Sequence, residues 1–156
     1  MKKEIENALA ILARKLKGIK WVLVGSANLA VQGINVTAHD IDVLVHERDV
    51  GMIDNVLSDF IVEKMKYDEK IPFKGWIGKY KIEGVEIEIM CDLKFLFRGK
   101  WEDNLKNRLE NVKYVKIAGV DIPVGSLEEQ LKGYKKLNRE KDKEKIKKIE
   151  EKLSEY

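Results

Sequence analysis

The segment Trp21–Val45, WVLVGSANLAVQGINVTAHDIDVLV, decides the fold because it contains two apolar strands with polar residues at their ends. Trp21 to Val24 is apolar throughout, which predicts a strand buried on both faces. The strand stops at Gly25-Ser26, and residues 27–32 are helix-permissive, with Gly33 as a C-terminal cap. When a strand, a turn and a helix follow one another, the first N–H groups of the helix point beyond the end of the strand. Such N–H groups attract phosphate.

Two interpretations of Ser26 follow from this turn. The serine hydroxyl is able to donate a hydrogen bond to a phosphate oxygen, and Gly25 lets a phosphate approach the backbone closely. Ser26 would equally serve as the N-cap of the following helix, because capping and phosphate binding use the same geometry. The sequence therefore predicts a phosphate contact at Gly25 and Ser26 and leaves a purely structural role for Ser26 open.

The second apolar strand begins with a pair of aspartates, Asp40-Ile41-Asp42. Side chains alternate across a strand, so Asp40 and Asp42 share one face, with Cα atoms about 6.5 to 7 Å apart. Like charges at this spacing repel unless a cation lies between them. Mg²⁺ suits the position, since it binds a few carboxylates together with substrate phosphate oxygens.

A third acid comes from the segment Lys79–Met90, KYKIEGVEIEIM. Its alternation predicts a hairpin that turns at Glu83-Gly84, with Lys81 opposite Glu86 and Lys79 opposite Glu88. Glu86 is interpreted as part of a solvated face. Glu88 lies deeper in the strand, between two isoleucines, so its carboxylate needs a partner such as a shared metal ion.

These residues resemble the nucleotidyltransferases of the DNA polymerase beta superfamily, in which a strand ending in Gly-Gly or Gly-Ser precedes a helix, an acid-x-acid strand and a later third acid. The matching residues are Gly25-Ser26, Asp40-Ile41-Asp42 and Ile87-Glu88-Ile89. The chain is similar above all to small stand-alone prokaryotic members, the minimal or antitoxin-like ones. The resemblance covers nearly the whole chain, with its specific motifs between residues 21 and 92.

The resemblance implies a reaction: transfer of a nucleoside monophosphate from a nucleoside triphosphate, expected to be ATP, to an acceptor hydroxyl, with release of pyrophosphate. Asp40 and Asp42 would hold Mg²⁺, and Glu88 would join them around a second ion and help to deprotonate the acceptor. Mn²⁺ would be a possible substitute. The acceptor stays open among a small molecule, a protein and RNA, because the fold hosts all three.

The remaining chain predicts helices and a mixed sheet, an α/β or α+β two-layer domain. We expect one domain over 1–156, with a core at about 19–124 and C-terminal helices at about 126–154. Apolar spacing predicts helices near residues 5–16, 50–60, 127–137 and 146–153, and strands at 61–66, 76–90 and 113–124. Arg139 and Lys141 would either neutralise the triphosphate or pair with Glu140 or Asp142 on the surface.

Composition bounds the class of protein. The chain has 156 residues, 44% of them hydrophobic, which is enough for one core. Its only cysteine, Cys91, cannot form an intramolecular disulfide, and no apolar run is long enough to span a bilayer, so we expect a cytoplasmic protein. Charged residues, mostly Lys and Glu, make up 37% of the chain, which is typical of heat-adapted proteins.

Two other functions compete with catalysis. The first is an antitoxin-like or regulatory module that binds a partner protein of toxin type on the same scaffold, with little or no activity. The second is nucleic-acid binding by the lysine-rich C-terminal helices. The net charge of +3 is too small to argue for the second, and acidic residues are interleaved with the lysines. The oligomeric state is left open.

Overall fold

The computed structural model describes residues 1–103 and 108–155. Within them the α-helices are α1 Lys3–Lys15, α2 Gly25–Val31, α3 Val50–Val56, α4 Leu127–Leu137 and α5 Lys143–Leu153. The strands are β1 Trp21–Val24, β2 Asp40–Val45, β3 Ile61–Lys70, β4 Phe73–Ile82, β5 Val85–Phe97, β6 Lys100–Glu102, β7 Lys113–Ile117 and β8 Val120–Val124. No helix in these ranges combines the length and the apolar character that a bilayer crossing needs.

The strands form one mixed sheet in the order β3-β4-β5-β2-β1-β8-β7, and β6 pairs with β5. Strand β2 runs parallel to β5, and β1 runs parallel to β8. The hairpins β3-β4, β4-β5 and β7-β8 and the pair β1-β2 are antiparallel. The expected α/β class with a mixed sheet is confirmed.

Two hairpins turn through the same backbone conformation. Glu83 and Gly84 have φ values of 48° and 82°, and Ala118 and Gly119 have values of 50° and 78°. Positive φ at both central residues defines the turn that matches the twist of the flanking strands. The predicted register of the first hairpin is confirmed, since Lys81 pairs with Glu86 and Lys79 pairs with Glu88.

Strands β3 and β4 extend beyond the predicted segments 61–66 and 76–90, reaching Ile61–Lys70 and Phe73–Ile82. The reason lies in the exposure of β3, an edge strand with charged side chains over most of its length. A strand that faces solvent on both sides has no apolar alternation for a sequence pattern to detect. Its hydrogen bonds to β4 define it instead.

The two faces of the sheet are covered differently. The main core contains residues of α1 and α3 together with the inward side chains of β2, β4 and β5, including Leu9, Ile53, Val43, Tyr80 and Ile87. A smaller apolar cluster on the opposite face is formed by Val22, Val24, Leu44, Leu93 and Leu109. All four residues of β1 are buried, which confirms that this strand is covered on both sides.

A buried polar network joins α2 to α4. Asn28 is 0% exposed and Gln130 is 3% exposed. The Asn28 amide donates to Gln130 Oε1 at 2.7 Å and to the carbonyl of Gly125 at 3.2 Å. The Gln130 amide in turn donates to the Gly25 carbonyl at 2.8 Å and contacts the Tyr134 hydroxyl at 3.0 Å. Because three of these bonds are buried and the bond to Gly25 is partly buried, the network fixes α4 over the start of α2.

We expect Gln130→Leu to lower the free energy of unfolding by about 2 to 4 kcal/mol, because the Gly25 carbonyl and the Asn28 amide lose buried partners. Urea denaturation monitored by circular dichroism measures this change. Lys135→Ala is the matched control on α4, because the Lys135 side chain is 55% exposed; it should stay within about 0.5 kcal/mol of the wild type. Equal stability of the two variants would mean that the network does not hold α4.

Candidate active site

A cleft of about 470 Å³ lies between the sheet face and α4. Its lining includes Asp40, Asp42, Glu88, Gly25, Arg139 and Lys141. The structure thus brings together six of the seven residues predicted as site residues, although they are spread over more than one hundred positions. Ser26 is the exception, because it is not among the described residues that line the cleft.

The parallel pairing of β2 with β5 puts the acids next to each other. Asp42 is the register partner of Glu88, and Asp40 is the partner of Glu86. Neighbouring strands lie about 4.8 Å apart, so Asp42 and Glu88 are nearest neighbours across the sheet. Asp42 and Glu88 are half-buried, whereas Asp40 and Glu86 are exposed. Of the two glutamates, only Glu88 lines the cleft.

The glycine at the end of β1 is required by its contact with Asp42. A Cβ atom built on Gly25 would lie 2.7 Å from Oδ2 of Asp42, and Gly25 has a φ of +73°. Both features exclude a side chain at this position. The Asp42 carboxylate therefore lies directly against the turn between β1 and α2.

The environment favours the neutral form of two of the carboxyls. Burial, followed by the charges of Asp40 and Glu88, raises the pKa of Asp42 to about 7, against the opposing effect of Lys145. Burial also raises the pKa of Glu88, against the opposing effect of Lys79. Like charges crowded in a partly desolvated site are expensive to ionise without a cation.

The donor set suits a hard divalent cation, because carboxylate oxygens are the ligands that Mg²⁺ prefers. In residues 1–103 and 108–155, no three His, Cys, Asp or Glu side chains are already arranged to hold a metal ion. Asp42 and Glu88 are register partners and Asp40 lies two residues before Asp42, so the three side chains would have to turn towards a shared ion.

The first turn of α2 differs from the prediction in one respect. The helix begins at Gly25, and its N-cap is Val24, which makes no side-chain cap bond. Ser26 is therefore the second helical residue and not an N-cap, so the capping interpretation is wrong. The reason is that the chain enters the helix at the glycine, one residue earlier than the sequence indicates. The phosphate contact of Ser26 stays a prediction.

Arg139 pairs with a buried acid and also lines the cleft, and its contact with the triphosphate stays a prediction. Its Nε donates to Oδ2 of Asp142 at 2.6 Å, and Asp142 is 0% exposed. The guanidinium also lines the cleft, so pairing with Asp142 orients it and does not remove it from the site. Lys141 lines the same cleft and forms no ion pair within the described residues.

Three functional candidates were missed by sequence reasoning: Gln130, Tyr134 as a cleft residue, and Arg108, all of which line the cleft. Gln130 had a detectable signal, because it lies three residues after Leu127 and four before Tyr134, on the apolar stripe of α4. A polar residue on such a stripe needs a buried partner. Arg108 had no signal, because it reaches the cleft from a region without apolar periodicity.

Comparisons with known proteins agree with this geometry. A crystal structure from Thermotoga maritima, provisionally described as a nucleotidyltransferase, is 30% identical, covers 100% of this chain and 96% of that chain, and gives a TM-score of 0.79. The solution structure of the antibiotic-resistance factor ANT(2'')-Ia shares the fold, with 12% identity, a TM-score of 0.56, and coverage of 97% of this chain and 84% of that chain. No match was found among curated proteins.

The sequence itself matches the aminoglycoside-2''-adenylyltransferase family over residues 5–149. The expected likeness to a minimal nucleotidyltransferase is confirmed, while nothing in these matches supports its antitoxin-like branch. A module that only binds a partner protein is not favoured. The chain belongs to the aminoglycoside-2''-adenylyltransferase family and is a nucleotidyltransferase.

Proposed function

We propose that this nucleotidyltransferase moves a nucleoside monophosphate from ATP to an acceptor hydroxyl in a Mg²⁺-dependent reaction that releases pyrophosphate. The observation that carries the proposal is the side-by-side register of Asp42 and Glu88 in a cleft that also contains Arg139 and Lys141. Acids on the sheet suit a metal ion, and bases on the opposite wall suit phosphate.

In this proposal Asp40, Asp42 and Glu88 hold the divalent ion or ions, with Mn²⁺ as a substitute for Mg²⁺. The raised pKa of Asp42 supports the assignment, because a bound cation would stabilise the carboxylate against both burial and the charges of Asp40 and Glu88. When bound, Mg²⁺ supplies positive charge to the triphosphate and makes the acceptor hydroxyl more acidic. Glu86 has no part in the site, since it is exposed and lies outside the cleft lining.

The triphosphate is held by Arg139, Lys141 and the turn at Gly25-Ser26. Asp142 fixes the Arg139 guanidinium at 2.6 Å, so the arginine loses little conformational freedom when it binds phosphate. Lys141 contributes a second positive charge in the cleft. The space that a Cβ would fill at Gly25 is taken by Oδ2 of Asp42, so the turn would meet the phosphates beside the Asp42 carboxylate.

Glu88 accepts the proton of the acceptor hydroxyl. The acceptor oxygen then forms a bond to the α-phosphorus, while the bond from the α-phosphorus to the bridging oxygen breaks and pyrophosphate leaves. The half-buried position of Glu88 supports this role over one for Glu86.

A cytoplasmic location belongs to the same proposal. The Cys91 thiol is 1% exposed, and burial, followed by the charge of Asp92, raises its pKa to about 12. The thiol therefore stays protonated at neutral pH and is unreactive towards oxidants. A single unreactive cysteine fits a protein that works in a reducing compartment.

Incubation with Mg²⁺, α-³²P-labelled ATP and a fractionated cell extract tests the proposed reaction directly. Label should appear in one acceptor fraction and should depend on both the enzyme and the metal. The acceptor is then identified by whether the label is sensitive to protease, to ribonuclease or to neither. Labelling that persists unchanged in chelator would contradict the proposed Mg²⁺ dependence.

The first prediction separates the two glutamates of β5. Glu88→Gln should lower the rate of label transfer at saturating Mg²⁺ by at least about 100-fold, because it removes a carboxylate from the metal site. Glu86→Gln is the matched control, two residues away on the same face, and should stay within about threefold of the wild type. A larger loss of transfer rate in Glu86→Gln than in Glu88→Gln would mean that Glu88 is not the third acid of the site.

The second prediction concerns pH and stability in metal-free buffer. The pKa of Asp42 is raised from 3.8 to about 7 in the folded chain, so ionisation of Asp42 destabilises the fold. The stability that the protonated form confers is complete below pH 4 and is lost as the pH rises to 7. Asn cannot ionise, so Asp42→Asn should match the wild type at low pH and be more stable, by on the order of 2 to 4 kcal/mol, above pH 7.

Urea denaturation of both proteins between pH 4 and pH 8 measures this difference, with Mg²⁺ replaced by chelator. Asp121→Asn serves as the control, because the Asp121 side chain is exposed and pairs with Lys116 outside the site. A wild type that is more stable than Asp42→Asn at every pH would instead show that Asp42 makes a structural ion pair.

A further inference from the structure

The cleft continues past the carboxylates into an apolar stretch formed by Phe73, Ile77, Met90 and Phe95. Ile77 pairs with Met90 across β4 and β5, and Phe73 pairs with Phe95 with ring centroids 5.5 Å apart. Met90 is one same-face position beyond Glu88, about 6.5 to 7 Å along the strand. The apolar stretch therefore begins directly beside the proposed reaction centre.

Arg108 lines the cleft from the side of α4. Its Nη2 donates to the carbonyl of Glu129 at 3.2 Å, while its Nε is buried and has no hydrogen-bond partner in the part of the chain that the structure describes. No carboxylate among the described residues forms a salt bridge with it. A largely buried guanidinium without a salt bridge is costly, and burial lowers the pKa of Arg108 against the opposing charge of Glu129. An anionic group in the cleft would satisfy it.

A glycine in the middle of α4 makes room for this arginine. A Cβ atom on Gly133 would lie 2.7 Å from Nη2 of Arg108. Glycine is a poor residue for a helix interior, so its presence here needs a reason such as the close approach of a neighbouring group. The adjacent Leu109 is buried in the apolar cluster on this sheet face and anchors the backbone of Arg108.

The charges of the cleft oppose a polycationic acceptor. Four acidic and five basic side chains line it within the described part of the chain. Three of the acids are Asp40, Asp42 and Glu88, which the proposed reaction already uses. The fourth, Glu129, lies 3.6 Å from Lys132. None of these carboxylates is left for a polycationic sugar, whereas Arg108 forms no salt bridge with a carboxylate of the described residues.

We propose that the acceptor is an anionic hydroxyl compound with an apolar body, which packs on Phe73, Ile77, Met90 and Phe95 and places its negative charge on Arg108. The inference rests on the proposed function, because it assigns the acceptor side of the same cleft. Arg108 is then a specificity-determining residue. It selects the acceptor by charge, and the apolar stretch selects it by shape and hydrophobicity.

Two dyes of the same skeleton test the subsite without knowledge of the acceptor. The anionic 8-anilinonaphthalene-1-sulfonate and the neutral N-phenyl-1-naphthylamine are titrated by fluorescence against the folded chain. The wild type should bind the anion more tightly than the neutral dye. Arg108→Gln should reduce the affinity for the anion about tenfold and leave the neutral dye unchanged, because one charge-assisted interaction is lost. An unchanged preference in Arg108→Gln overturns the proposal.

Gly133→Ala gives a second test that does not depend on removing the arginine. Alanine favours the helix, so the fold is kept, but its Cβ displaces the Arg108 guanidinium. The preference for the anionic dye should fall as in Arg108→Gln. Gly51→Ala in α3, where a Cβ meets nothing within 4 Å, and Arg48→Gln on the surface are the matched controls. A loss of preference in the controls overturns the assignment to Arg108.

Nucleotide binding distinguishes this subsite from the triphosphate site. A saturating non-hydrolysable ATP analogue with Mg²⁺ should leave binding of the anionic dye in place, and Arg108→Gln should bind that analogue as the wild type does. Displacement of the dye by the analogue, or tenfold weaker binding of the analogue to Arg108→Gln, would overturn the acceptor assignment. Either result would mean that Arg108 binds the nucleotide. A dye preference without any binding of the analogue supports the anionic subsite and contradicts nucleotidyl transfer.

Discussion

The parallel pairing of β2 with β5 sets Asp42 beside Glu88, and much of the structure around it accommodates the resulting crowding of negative charge. The strand before α2 ends in a glycine because any side chain there would collide with the Asp42 carboxylate. Burial and like charge raise the pKa of Asp42 to about 7. Because the crowded carboxylates destabilise the fold without a cation, binding of a cation at this site should stabilise the folded chain.

The C-terminal helices provide positive charge on the wall of the cleft that faces the acids of the sheet. Asp142 is fully buried and pairs with Arg139 at 2.6 Å and with Lys145 at 3.7 Å. Lys145 also lowers the pKa of Asp42. One buried carboxylate thus orients an arginine in the cleft and holds a lysine whose field reaches the acids on the sheet. The buried network of Asn28 and Gln130 keeps this wall at a fixed distance from β1 and β2.

The sheet side of the site was predictable because it depends on local patterns. Alternation put Asp40 and Asp42 on one face, and the Glu83-Gly84 turn fixed the register of Glu88 by counting residues from the turn. The α4 wall was not predictable in the same way. Arg108 and Gln130 reach the cleft through tertiary packing, and the glycine that admits Arg108 is only meaningful once the two segments are seen in contact. For Ser26 a local pattern was misleading. Serine is a common N-cap residue, but here it is the second residue of the helix.

We propose that the three carboxylates and the basic wall of the cleft bind a metal ion and a triphosphate together. Thermal unfolding of the wild type with Mg²⁺ alone, a non-hydrolysable ATP analogue alone, and both together tests it most directly. The rise in melting temperature with both ligands should exceed the sum of the two separate rises, because each ligand neutralises charge that hinders the other. The same melting temperature under all three conditions would contradict it.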